Sequence, residues 1–180
     1  MTPPSPLFDF GDPARAGGFT PIDDRVMGGR SHSRAVLVDR ALRFEGEVSL
    51  EGGGFASIRS APARLDLSGA AGLALRVRGD GRRYKVSLRT DDHLDGLAWQ
   101  AGFDTATGGW EVVLLPLAAF RPVVRGRPAP EAGPLAAARV RTVGFVIADG
   151  QAGPFRLDVS AVAGYAPEHG AVALPRPSSP

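Results

Sequence analysis

The chain has 180 residues and carries 21 basic against 19 acidic side chains, a formal net charge of +2. That length suits one domain, and a content of 43% hydrophobic and 22% charged residues is globular rather than disordered. Cysteine is absent, which removes disulfides, thiolate metal sites and cysteine nucleophiles, and a surplus of two charges is too small to direct the chain to nucleic acid.

The opening MTPPSPLFDF has neither the basic start nor the apolar run of a secretory signal. The longest apolar stretch, residues 112–120, is broken by Pro116 and falls far short of the roughly 20 residues that cross a bilayer. The expectation is a cytoplasmic chain without a transmembrane segment. The 24 glycines and 16 prolines exclude a helical bundle and point to short strands joined by turns.

In chain order, residues 41–50 set Leu42, Phe44, Val48 and Leu50 on alternate positions with charges between most of them. This period of two marks a strand with one wet face. Gly52, Gly53 and Gly54 then read as a turn, because an alternating strand from Phe55 to Arg59 follows where a phosphate loop would need a helix. Residues 72–78 alternate again, Gly79, Asp80 and Gly81 make a turn, and Tyr84, Val86 and Leu88 oppose Lys85 and Ser87. Residues 97–103 and 110–115 are further strands. Residues 122–134 collect proline and glycine and read as a long surface loop. Only 116–120 and 134–139 suit short helical turns. Residues 139–148 become continuously apolar, as a strand buried on both faces does, and Phe155, Leu157 and Val159 alternate with polar neighbours. About nine strands predict an all-β antiparallel sandwich over residues 1–166, with a disordered Pro/Ser-rich tail over 167–180.

No catalytic constellation stands out. His32, His93 and His169 have no partner at metal-ligand spacing. Asp91, Asp92 and Asp149 are donors for a structural calcium, but nothing in the sequence brings them together; no cofactor is expected. Asp23 and Asp24, followed by Arg25, Met27, Gly28, Gly29 and Ser31, offer two carboxylates for cation binding or acid–base chemistry. The plainer reading is a loop held by its own ion pairs and by Asp side chains accepting from backbone N–H groups. Adjacent residues on extended chain point to opposite faces, which argues against a hydrolase using both. Arginines on strands form a third feature. Arg59 and Arg89, with Tyr84, Trp99 and Gln100, are the candidate binding face: aromatic platforms and guanidinium forks suit sugars, carboxylates and peptide carbonyls.

Five segments in series, DDRVMGGRS from Asp23, FEGEVSLEGGGFASIR from Phe44, VRGDGRRY from Val77, LPLAAF with RGR from Leu115, and Val143–Ile147 leading to GPF, resemble the complex I intermediate-associated protein 30 family. The resemblance runs from about Leu7 to Tyr165. Gly52 stands where that family usually has asparagine, and Phe19 where it usually has tryptophan. The resemblance implies a galactose-binding-like jelly roll and a non-enzymatic, protein-binding role as an assembly factor or chaperone, with a respiratory complex subunit as partner. It casts Asp23 to Ser31 as an ordered loop sealing one end of the sandwich. It places Gly53, Gly54, Phe55 and Ser57 at one turn, and Gly79, Asp80 and Gly81 in a tight hairpin. The alternative is a module for carbohydrate or another small ligand, with Trp99, Tyr84 and Arg89 as its platform.

Overall fold

The computed structural model describes residues 6–93 and 96–167, apart from the side chains of Val26 and Met27. Beyond Pro167 the expected tail, and His169 with it, lies outside the described residues. The alternating segments become strands: β1 (Phe8–Asp9), β2 (Thr20–Pro21), β3 (His32–Val38), β4 (Ala41–Val48), β5 (Ala56–Arg59), β6 (Gly72–Arg78), β7 (Arg83–Arg89), β8 (Leu97–Asp104), β9 (Glu111–Pro116), β10 (Arg121–Val124), β11 (Arg127–Pro128), β12 (Thr142–Ile147) and β13 (Gly153–Tyr165). They form two sheets whose strand pairings are all antiparallel. The first has the order β3-β4-β13-β6-β9, with β1 also on β13; the second runs β11-β10-β8-β7-β12-β5-β2. No helix of the described residues is long and apolar enough to cross a membrane.

The expectation of an all-β sandwich is correct, and the differences are in its joints. Among the described residues thirteen strands form rather than about nine, because the two-residue pieces β1, β2 and β11 and the unexpected β3 and β10 add to those expected. Strand β3 was not expected. It returns into β4 through Asp39 and Arg40, both at positive φ, a hairpin without glycine. The segment 122–134 is not a loop. It holds the hairpin β10–β11, turned at Arg125 and Gly126 and paired to β8. Gly79, Asp80 and Gly81 do not make a hairpin, since β6 and β7 lie in different sheets. They carry the chain across the sandwich, and Asp80 Oδ1 fixes the crossing by accepting from Tyr84 Oη at 3.0 Å and Arg82 N at 3.1 Å.

Between the sheets, Phe44, Leu75 and Leu157 from one layer meet Ile58, Tyr84, Val86, Leu88 and Phe145 from the other. Phe44 packs edge-on against Phe155 at 4.8 Å between ring centroids. Phe19 plugs the end of the core against Phe8 at 5.3 Å and Phe10 at 5.6 Å. This apolar and aromatic burial is what holds the two layers together.

Candidate functional site

The two aspartates that stood out in the sequence occupy one end of the sandwich, where the chain crosses between sheets twice: β2 to β3 and β4 to β5. Asp23 is extended and Asp24 opens a one-turn 3-10 helix, Asp24–Met27. Asp24 is fully buried. Its Oδ1 accepts from Ser31 N at 2.9 Å, and its Oδ2 from Ser31 Oγ at 2.7 Å, Gly54 N at 2.8 Å and Phe55 N at 3.3 Å. Asp23 Oδ2 accepts from Ser33 N at 2.8 Å, and its Oδ1 from Ser33 Oγ at 2.6 Å and Ser57 N at 3.0 Å. Each carboxylate therefore ties the chain entering the first sheet to the chain entering the second. Gly29 and Gly53 wrap Asp24 so closely that a Cβ on either would collide with its carboxylate. Arg25 is exposed, and Arg30 pairs with Glu51 at 2.9 Å on the surface. With four donors on Asp24 and three on Asp23, this loop pair is a structural lock whose carboxylates are already engaged by the fold.

The candidate binding face divides. Tyr84 is 0% and Trp99 5% exposed. Both point into the core, and Trp99 Nε1 donates to the Gly133 carbonyl at 3.0 Å beneath the loop after β11. Neither can be a platform for a sugar. The period of two explains this: Tyr84 and Arg89 differ by an odd number on β7, and Trp99 and Gln100 are adjacent on β8, so each pair splits across the sheet. Arg59, Arg89 and Gln100 do share the outer face of the second sheet. Register aligns Arg59, Gly144, Ser87, Gln100 and Arg121 across five strands, and beside that row Thr142 pairs with Arg89 and Ala98 with Val123. Gly144, Ser87, Ala98 and Thr142 are buried outer-face residues, a small-residue floor beneath the arginines. Burial, and then the neighbouring charge of Arg89, push the Arg59 guanidinium down to about 10, with Asp91 opposing. Arg59 Nη1 donates to the His93 carbonyl at 3.2 Å, and Arg89 Nη1 to the Leu97 carbonyl at 3.5 Å. Guanidiniums set over such a floor can grip carboxylates or peptide carbonyls in a partner.

The three acids considered for calcium do not converge. Asp92 pairs with Arg141 at 2.9 Å just before β12, whereas Asp149 pairs with Lys85 at 3.0 Å past its other end. Among the described residues no group of three or more His, Asp or Glu side chains is placed to hold a metal ion. Asp158 was not anticipated from local pattern. On the outer face of the first sheet it bridges Arg43 on β4 and Arg78 on β6, each at 2.9 Å. Burial alone would raise the Asp158 carboxyl, but the two guanidiniums outweigh it and hold it below the usual carboxylate range.

The β-sandwich is a fold shared with carbohydrate-binding modules. The family 11 carbohydrate-binding module of the cellulosomal cellulase Lic26A-Cel5E of Clostridium thermocellum superposes with a TM-score of 0.68 at 15% identity, covering 95% of this chain and 99% of that one. A family 30 carbohydrate-binding module superposes with a TM-score of 0.54 at 14% identity, covering 97% and 91%. Identities this low establish the shared fold alone. In sequence, the family model of complex I intermediate-associated protein 30 matches residues 8–159, and the chain belongs to that family. It is similar to "Complex I intermediate-associated protein 30, mitochondrial" of Drosophila melanogaster, 33% identical over 105 residues, which covers 54% of this chain and 35% of that protein. The protein of the same name from Mus musculus is 35% identical over 91 residues, covering 48% and 28%. The chain thus spans about a third of the length of these curated relatives.

Proposed function

We propose that the chain is a non-enzymatic protein-binding module with a role like that of a complex I assembly factor, and that it holds its partner on the outer face of the second sheet. The observation that carries this reading is the pair Arg59 and Arg89 over the floor of Gly144 and Ser87. Burial and Arg89 disfavour the charge of Arg59, and a partner that supplies carboxylates or carbonyls between the two guanidiniums recovers that cost. Membership of the family supports a respiratory complex subunit as that partner. The saturation of Asp23 and Asp24 by their own loops supports a role without covalent chemistry. The burial of Tyr84 and Trp99 removes the aromatic platform on which the carbohydrate reading rested.

The test is quantitative capture of partners by the immobilised chain, with a glycan array run in parallel. The reading predicts a protein captured at least tenfold less by the Arg59→Glu/Arg89→Glu variant, an unchanged melting temperature for that variant, and no glycan signal. Saturable glycan binding that the same variant abolishes would replace this reading with the carbohydrate one.

A further inference from the structure

An open edge strand offers unpaired N–H and C=O groups to any passing chain, and proteins usually blunt such edges. Most of the sheet edges here are short or charged. The second sheet ends in β2 and β11, each two residues long and each containing a proline. The first sheet begins at β3, which exposes Leu37 near its turn but carries His32 and Arg34 on its outer face, the latter ion-paired with Glu45. The fourth edge, β9, is different. Its outer-face residues before the terminal proline are Val112 and Leu114, each 46% exposed. Among the described residues no strand pairs with its far side.

The surface beside this edge is cationic. Arg76 sits opposite Val112, and Ala74 opposite Leu114. Trp110, immediately before β9, lies under the guanidiniums of Arg78 at 4.9 Å and Arg76 at 5.6 Å. Arg78 is paired with Asp158. Arg76 makes no ion pair among the described residues, and its Nε is buried with no hydrogen-bond partner. Exposed apolar side chains on an unprotected edge, with an uncompensated cation at one end, define the complement they would accept.

We infer that β9 is a second docking edge, to which an extended segment of a protein partner adds as a further strand of the first sheet. The segment places alternate apolar residues beside Val112 and Leu114 and a carboxylate at the Trp110 end, within reach of Arg76. This edge belongs to the other sheet from Arg59 and Arg89, so it stands independently of the face proposed above.

Panning a random 12-residue peptide library against the full chain tests it. The enriched peptides are expected to carry alternate apolar residues flanked by Asp or Glu. They should bind the Val112→Lys/Leu114→Lys variant at least tenfold more weakly, and Arg59→Glu/Arg89→Glu as they bind the parent chain. Bound peptide should slow amide exchange at alternate residues of 111–116. Methylating alternate peptide amides, which leaves the protein untouched, should abolish binding. The inference is overturned if no peptide is enriched, or if enriched peptides lack acidic residues. Indifference to the β9 substitutions or to amide methylation also overturns it. So does protection of the β9 edge amides in the peptide-free chain, since the edge would then already be covered.

Discussion

The Asp23–Asp24 loop and the Arg59–Arg89 face present the same raw material, like charges brought close together, with opposite outcomes. In the loop each carboxylate is surrounded by donors from two crossings, and both sheets are held by the result. On the face, two guanidiniums lie over small residues, and one of them is held at about 10 by burial and by the other. A saturated charge stabilises the scaffold; a crowded charge is a place where a partner gains more than the free protein loses. The aspartates were the more conspicuous in sequence, yet the arginines are the better candidates for binding.

Substitutions should separate the two regions. The largest effect is expected at Asp24. Asp24→Ala strands the buried Ser31 N–H and removes the acceptor of the partly buried Gly54 and Phe55 N–H groups, while the Ser31 hydroxyl keeps the Ser49 carbonyl. At about 1–3 kcal/mol for each unsatisfied buried group, partly relieved by water, a loss of about 3–4 kcal/mol is expected in urea unfolding. A loss below about 1 kcal/mol would show that the loop pair does not join the sheets. Asp158→Asn should cost about 2–3 kcal/mol near neutral pH by leaving Arg43 and Arg78 short of a counter-charge. The folded carboxyl titrates below its unfolded value, so this contribution is fully present above about pH 4 and disappears as pH falls through the folded value. Parent and variant should therefore converge in acid. Parallel unfolding curves down to pH 2 would contradict the pairing.

The smallest stability effect is expected at Arg59. Arg59→Gln should shift unfolding by no more than about 0.5 kcal/mol and in the stabilising direction, because it removes a cation that burial and Arg89 disfavour. Partner capture should nevertheless fall. Because the contact is between charges, capture by the parent should also weaken with added salt. A variant that loses stability and binding in step would place Arg59 with the scaffold instead.

The fold was legible wherever alternation was unbroken. Strand β6 matches its predicted bounds, Gly72–Arg78, because apolar and polar positions alternate there between two turns. Strand β3 was missed because its turn, Asp39 and Arg40, takes positive φ without the glycine that signals it. The hairpin β10–β11 was hidden by the prolines that confine it to an edge. For the candidate site the alternation held more than was taken from it. It already placed Tyr84 with Val86 and Leu88, on the opposite face from Arg89, and it separates Trp99 from Gln100. Asp158 could not be read at all, because its partners Arg43 and Arg78 meet it only through a sheet order that no local pattern specifies. Ser33 was legible in hindsight. Hydroxyls at 31 and 33 match the acids at 24 and 23, one donor for each carboxylate.

A photo-reactive residue in place of Gln100, irradiated in the cells from which the chain comes, tests the binding face most directly. Gln100 stands in the row that contains Arg59, on an outer face. The account predicts one dominant adduct to a protein, lost when Arg59 and Arg89 are both changed to Glu and retained when Val112 and Leu114 are changed to Lys. An adduct that persists through the arginine changes, or no protein adduct from Gln100, would contradict it.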